Sequence, residues 1–269
     1  MNRYEVAILG GGNLGTALAR GWVRAGRFSP THVAVTRRQV AKLSELAAEG
    51  FAVGSDNVDA VKSAALVILA VQPQQLRVLL DEIGPHLEPG RHRVVSVVSG
   101  ASIAEIREAL GRDIPTVRAM PNTAVVIGES MTCLAAEEDG SAALSEAQKL
   151  FDLVGRTLVI PEELIVPATA LCACGIAFFL RCVRAAAQGG IEIGFHPEEA
   201  ALLAAQTAKG AAALGLREGS HPESEIDRVT TPRGCTIAGL NEMEHQGLSS
   251  ALIKGIVVSA RAAAGLYSG

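Results

Sequence analysis

Val6-Ala7-Ile8-Leu9-Gly10-Gly11-Gly12-Asn13-Leu14-Gly15 is the stretch on which the fold turns. A short apolar run reads as a buried strand, breaks at three glycines, and opens an alanine-rich helix over Thr16 to Ala25. Gly10, Gly12 and Gly15 satisfy G-x-G-x-x-G. In that spacing the first glycine makes a tight turn, the second lets backbone approach a pyrophosphate, and the third lets helix pack on strand. The helix N-terminus then offers free N–H groups and a partial positive charge to phosphates, and Asn13 and Leu14 of the same turn join the glycines as candidate cofactor contacts. Strand, glycines and helix occur in the right order, so the stretch predicts dinucleotide binding.

Working outward, the next strand is Val33-Ala34-Val35, followed by Thr36-Arg37-Arg38. In the NAD form of this arrangement an acid near this point binds the ribose 2′-hydroxyl. No acid occurs from Ser29 to Lys42. A threonine with two arginines suits a 2′-phosphate, because guanidinium presents paired N–H donors. NADP is therefore expected in preference to NAD. Gln39 to Glu49 reads as a helix and Phe51 to Val53 as a short strand. Leu66 to Val71 is continuously apolar, the mark of a strand covered on both faces, and stops at Gln72-Pro73. Further strands are expected at Val94–Val98, Thr116–Met120, Ser130–Ala135 and Leu158–Ile160, with a capping box at Ser102–Glu105 and a helix over Ser145–Leu153. This alternation predicts an α/β Rossmann-like, doubly wound, largely parallel domain over residues 1–160.

From residue 161 to 269 no strand pattern remains. Glu162–Gly194, Pro197–Leu216 and Thr236–Leu266 read as long helices rich in alanine, an all-helical second domain suited to dimerisation. The 269 residues are 49% hydrophobic but only 3% aromatic. The mean hydropathy of +0.29 is high for a monomer and points to apolar surface covered between subunits. A net charge of −4 argues against a general nucleic-acid binder. The longest uncharged run, Val166 to Leu180, is expected to be too short to span a bilayer. Five cysteines, an odd number, fit a reducing compartment, and Cys172-x-Cys174 lacks the companions of a metal site. With no signal-peptide pattern at the start, a cytoplasmic location and no metal are expected.

Four motifs together resemble the pyrroline-5-carboxylate reductases. Gly10 to Gly15 resembles G-x-G-N-M-G, Leu69 to Gln74 resembles L-A-V-K-P-Q, Arg118 to Thr123 matches R-x-M-P-N-T, and Val229 to Gly239 resembles V-T-S-P-G-G-T-T-I-A-G. The resemblance covers nearly the whole chain. It implies NAD(P)H-dependent reduction of 1-pyrroline-5-carboxylate to L-proline and a helical domain that dimerises by interleaving, with further assembly commonly into decamers. By position it implies that Asn57, the loop Ala70-Val71-Gln72-Pro73 and Val97-Val98-Ser99 border the cofactor. Glu162, Thr169 and the loop Thr231 to Thr236 would border the substrate.

The sequence departs from the family pattern near that site. The family lysine is Gln72. The segment T-G-L-S-G-S-G-P-A-Y appears as Thr169-Ala170-Leu171-Cys172-Ala173-Cys174-Gly175-Ile176-Ala177-Phe178, and in the substrate loop Arg233 and Cys235 replace a glycine and a threonine. These changes keep open a reductase of a different cyclic imine, or an NADP-binding regulatory protein without turnover. Hydride transfer to a protonated C=N carbon needs orientation and a carboxylate anchor more than a strong acid. The turn Thr231-Pro232-Arg233-Gly234-Cys235-Thr236 suits such an anchor: it runs into a helix, and Arg233 adds a charge. Thr169 is the candidate to bond the imine nitrogen or a water, or else its own helix backbone. Asn122, in a strand-end loop, can bond a carboxamide or local backbone.

Overall fold

The computed structural model describes residues 3–137 and 140–265. It divides into two compact units. One comprises the chain up to Ala173 together with the segment from Ser259 onward; the other is Cys174–Val258.

The first unit is built on an eight-stranded sheet: β1 (Val6–Leu9), β2 (Val33–Thr36), β3 (Ala52–Gly54), β4 (Leu66–Leu69), β5 (Arg93–Ser96), β6 (Thr116–Met120), β7 (Ser130–Ala136) and β8 (Gly155–Val159). The order is β3-β2-β1-β4-β5-β6-β7-β8. Every neighbouring pair is parallel except β6–β7, which is antiparallel. The strand order reverses between β1 and β4, which opens a crevice above their C-terminal ends, where such sheets bind ligands.

Successive side chains of β1 enter opposite cores. Val6 and Ile8 join Val33, Val35 and Ile68, whereas Ala7 and Leu9 join Ala34, Val67, Leu69 and Val94. That is why these strands read as unbroken apolar runs instead of alternating ones. α1 (Asn13–Arg24) is held on the first face by Trp22, which is fully buried, donates its ring N–H to the Leu150 carbonyl at 3.1 Å and meets Phe28 and Phe151 edge-on. The other helices of this unit are α2 (Ser44–Ala48), α3 (Asn57–Lys62), α4 (Pro73–Ile83), α5 (Ile103–Leu110), α6 (Ser141–Asp152) and the short α7 (Ile165–Ala168). The Ser102 capping box forms as expected, with Glu105 returning a bond to the Ser102 N–H at 2.7 Å.

Several boundaries differ from the sequence reading. Gln39–Glu49 is a 3₁₀ turn over Val40–Leu43 followed by α2, and α6 starts earlier, at Ser141. β5 ends at Ser96, so Val97 and Val98 leave the ladder, although both stay buried. The expected helix Glu162–Gly194 is interrupted: α7 passes into a π-helical turn, Thr169–Ala173, before α8 (Gly175–Glu192) begins.

The second unit is helical. It contains α8, α9 (Pro197–Gly215), α10 (Pro222–Val229), α11 (Cys235–His245) and the larger part of α12 (Leu248–Ala264). The expected helix Thr236–Leu266 is in fact α11 and α12, bent by 50° where Gly247 takes φ 80°; Leu266 lies outside the described residues. α10, Pro222–Val229, has too few apolar residues for its period to announce it in sequence. α8 and α9 pack closely because Gly190 leaves only 3.0 Å between its missing Cβ and that of Ala200.

From Cys174 to Val258 only Gly175 and Ala200 are buried. Leu180, Leu202, Ile253 and Val258 are each more than 60% exposed. The helical run Glu162–Glu192 is long and apolar enough to cross a membrane by length and composition, contrary to the shorter span expected from sequence; 22% of its most apolar window is buried.

Candidate active site

The three glycines of the first turn each take the part their spacing implies. Gly10 has φ 117° and a Cβ there would lie 2.4 Å from the Ala70 carbonyl oxygen. A Cβ on Gly15 would lie 2.2 Å from the Gly10 carbonyl oxygen, so α1 can sit on β1 only with glycine there. At Gly12 nothing lies within 4 Å of the Cβ position. Gly12 also caps α1 without any side-chain hydrogen bond, leaving the first-turn N–H groups of Asn13 and Leu14 for a ligand.

This turn forms one wall of a cavity of about 800 Å³. Gly10, Gly12, Thr36, Arg37, Arg38, Asn57, Ala70, Val71 and Gln72, all singled out from sequence, line it. The turn is held by the end of β2: the N–H groups of Gly10 and Gly11 both donate to the Thr36 carbonyl, at 3.1 and 2.7 Å. Arg37 in turn donates from Nη1 to the Gly11 carbonyl at 2.8 Å. Arg38 is exposed and has no ion-pair partner among the described residues. Thr36 is buried and donates to Asn57 Oδ1 at 2.6 Å, and Asn57 Nδ2 donates to Glu82 at 3.0 Å. Gln74, the last residue of the Leu69–Gln74 motif, also lines the cavity, as do Gln75 and Glu82 of α4 and Gln39 just before the 3₁₀ turn; these last three carried no sequence signal, since they read as ordinary solvated surface.

A smaller cavity of about 230 Å³ adjoins the start of α1 and is lined by Asn13, Arg37 and Lys42 among others. Leu14, Gly15, Pro73, Val97, Val98, Ser99 and Asn122 line neither cavity. Leu14 and Gly15 serve through the helix start, and Pro73 is the first residue of α4. Val97 and Val98 point into the two main cores, and their N–H groups donate to the Leu69 carbonyl and to Ser96 Oγ, which leaves only their carbonyls for a ligand.

The candidate substrate residues of the first unit form a second cluster. Glu162 accepts from the Ile103 N–H at 2.6 Å and from Arg118 Nη1 at 3.1 Å, both through Oε1. Arg118 is buried, and neither its Nε nor its Nη2 meets an acceptor among the described residues. Thr169 is buried and its hydroxyl donates to the Ile165 carbonyl at 3.1 Å, so its free lone pair makes it an acceptor. Asn122 is engaged at both ends of its amide: Oδ1 accepts from the Ala124 N–H at 3.0 Å and Nδ2 donates to the Cys172 carbonyl at 3.1 Å. It thus ties the end of β6 to the π turn, a structural task where sequence allowed a carboxamide contact. His92 is buried between the Glu88 N–H, which donates to its Nδ1 at 2.8 Å, and the Val61 carbonyl.

In the second unit, the Gly234 N–H donates to the Thr231 carbonyl at 2.9 Å, closing a turn that feeds α11. Gly234 is the N-cap, again with no side-chain cap bond, and Cys235 and Thr236 form the first turn.

Residues 162–266 match the family described as pyrroline-5-carboxylate reductase dimerisation, and residues 5–100 match the coenzyme F420-dependent NADP oxidoreductase family. The chain is 50% identical to pyrroline-5-carboxylate reductase 2 of Dictyostelium discoideum, over 96% of this chain and 92% of that protein. The chain belongs to the pyrroline-5-carboxylate reductase family. Pyrroline-5-carboxylate reductase 1 of the same organism is 53% identical over the full chain, which spans about half (51%) of that longer protein. The crystal structure of the Coxiella burnetii pyrroline-5-carboxylate reductase superposes with a TM-score of 0.86 at 28% identity, covering 98% of this chain and 99% of that one. A Plasmodium falciparum pyrroline carboxylate reductase with NADP bound shares the fold, with a TM-score of 0.89 at 21% identity and 99% coverage of both chains.

Two departures from the family pattern acquire a physical reading in the structure. Arg233, standing where the family has glycine, keeps the backbone of a glycine: its φ of 59° makes it the one non-glycine residue at positive φ among the described residues. An L side chain in that region costs about 1–2 kcal/mol, borne here by an exposed arginine. Cys172 is paired in space not with Cys174 but with Cys133 of β7, at an Sγ–Sγ distance of 3.8 Å.

Proposed function

We propose that the chain reduces 1-pyrroline-5-carboxylate to proline with a reduced nicotinamide dinucleotide, and that NADPH is preferred over NADH. The observation that carries the reading is the cavity at the glycine turn, lined by Arg37 and Arg38 with no acid at the end of β2, in a chain 50% identical to one named reductase over 92% of that protein. The residues fit a dinucleotide: Gly10 and Gly15 admit no side chain, Gly12 leaves open space, and the first turn of α1 faces it uncapped. When bound, the reduced nicotinamide supplies the hydride that turns the C=N carbon into C–H.

The protein's own work is binding and orientation. Asn13 and Leu14 hold the pyrophosphate through backbone N–H groups, Gly10 and Gly12 let the backbone come close to it, and Arg38, with Arg37 and Lys42, meets the 2′-phosphate. The Asn57 amide, fixed between Thr36 and Glu82, shapes the floor of the cavity. In the second unit the uncapped start of α11, with Thr231, Arg233, Gly234, Cys235 and Thr236, anchors the substrate carboxylate. Thr169, whose own proton is committed to Ile165, accepts from the ring N–H of the protonated imine. Glu162 holds Arg118 and the start of α5 in place, a positioning task next to the turn that carries Thr169.

The helical unit has almost no core of its own, so its exposed leucines and isoleucines are covered by a second copy of the chain, not by lipid. We propose a homodimer that assembles further, up to a decamer, in the cytoplasm, without nucleic-acid partners. A single assay tests the function: oxidation of NADPH and of NADH with 1-pyrroline-5-carboxylate, beside a panel of other cyclic imines. Turnover fastest with that substrate and NADPH is expected. A faster rate on another imine transfers the reading to that substrate, and cofactor binding without turnover on any imine overturns it.

A further inference from the structure

We propose that Cys133 and Cys172 form a modification site, a thiol pair that a hydroperoxide converts to a reversible disulfide and that thereby locks the turn carrying Thr169. The two sulfurs are 3.8 Å apart across an Sγ–Sγ hydrogen bond, and the other three cysteines have no such partner among the described residues. They come from distant segments: Cys133 lies opposite Met120 in the antiparallel β6–β7 ladder, and Cys172 lies in the π turn Thr169–Ala173. Their surroundings form a small apolar cluster separate from the two main cores, made by Met120, Cys133, Ala135 and Ile165 with Cys172 at its edge. Small and flexible side chains there leave room for the sulfurs to close the remaining distance by rotation about Cα–Cβ.

The roles of the two thiols are unequal. Cys133 is buried, whereas Cys172 is partly exposed. The hydrogen bond shared by the two sulfurs holds the Cys172 thiol below the ordinary thiol range, while the same interaction and burial push Cys133 above it. Cys172 is therefore the attacking sulfur and Cys133 the resolving one. The Cys172 thiolate attacks one peroxide oxygen, the O–O bond breaks, and the departing hydroxide takes up a proton as water. Cys172 becomes a sulfenic acid. The Cys133 sulfur then attacks it, losing its proton; the S–O bond breaks and a second water leaves. Two thiols lose two electrons and one peroxide becomes two waters.

Closing this bond ties the π turn to β7. Cys172 is three residues from Thr169 in that turn, and its carbonyl already holds Asn122 at the end of β6. A π turn is a strained segment that is often placed at functional sites, and pinning it displaces the residues it carries. The mapping arm below is independent of the proposed reductase activity, and only the kinetic arm rests on it.

The experiment treats the full-length oligomer with one equivalent of hydrogen peroxide, then blocks free thiols and maps the peptides by mass spectrometry. The expected result is a Cys133–Cys172 peptide lighter by two hydrogens, restored by dithiothreitol. C133S should yield no disulfide, retain its basal activity, and accumulate sulfenic or sulfinic acid at Cys172. A Cys172–Cys174 bridge, an intermolecular bridge, or two free thiols after treatment would each overturn the proposal. In the kinetic arm, kcat of the oxidised wild type should fall on the order of tenfold or more and return with dithiothreitol. A disulfide that forms without changing kcat would overturn the locking of the Thr169 turn.

Discussion

Replacing Glu162 by alanine tests whether the chain uses this carboxylate for its fold or for direct substrate contact. In the structure its Oε1 accepts two hydrogen bonds, from the Ile103 N–H at 2.6 Å and from Arg118 Nη1 at 3.1 Å. The Arg118 side chain is only 4% exposed and its Nε and Nη2 already lack acceptors among the described residues, so Glu162→Ala leaves a buried guanidinium with no partner among them. Removing one member of a buried ion pair costs about 3–5 kcal/mol, mostly the penalty of the stranded charge. At roughly 2–4 °C per kcal/mol for a domain of this size, the melting temperature should fall by roughly 6–20 °C. The measurement is calorimetric unfolding at fixed protein and cofactor concentration, since binding and assembly both shift the transition. The double variant E162A/R118M should recover at least half of the loss, because it removes the charge along with its partner. A shift under about 2 °C for Glu162→Ala, or no recovery in the double variant, would refute the reasoning. A large rise in KM without a stability change would return Glu162 to the substrate.

Other expectations follow from the same geometry. Gly10→Ala places a Cβ 2.4 Å from the Ala70 carbonyl oxygen at φ 117°, so fluorescence titration should show NADPH affinity reduced on the order of tenfold or more. Arg38→Ala should weaken NADPH by about tenfold to a hundredfold and NADH hardly at all, as expected for loss of a charged hydrogen bond to one phosphate. Arg233→Gly should stabilise the protein by about 1 kcal/mol by relieving positive φ, while KM for the substrate rises about tenfold or more, read by denaturant unfolding and steady-state kinetics. Cys172 is lowered to about 7 by the Cys133 hydrogen bond, so its alkylation by iodoacetamide should rise with pH and reach half its maximum rate near there; Cys133→Ala should move that midpoint upward. Ile253→Glu and Val258→Glu put charges on exposed apolar positions of α12 and should shift sedimentation toward the monomer; an unchanged species would place the interface elsewhere.

Much of this protein was legible in its residues. The order of strand, glycines and helix at Val6–Gly15, the apolar runs at Val33 and Leu66, and the loss of strand pattern after residue 160 suffice for a Rossmann-like domain and a helical one, because side-chain period and glycine spacing are local properties. Nine of the residues marked for the cofactor line one cavity for the same reason: the fingerprint dictates where strand ends meet. The tertiary structure alone decided what depends on contacts between distant segments. Glu162 meets Arg118 and Ile103, Asn122 holds the π turn, and Cys172 pairs with Cys133 and not with its neighbour Cys174. Whether Arg233 bends like the glycine it replaces also depended on the closed turn, since φ is set by the loop's ends and not by the side chain it carries.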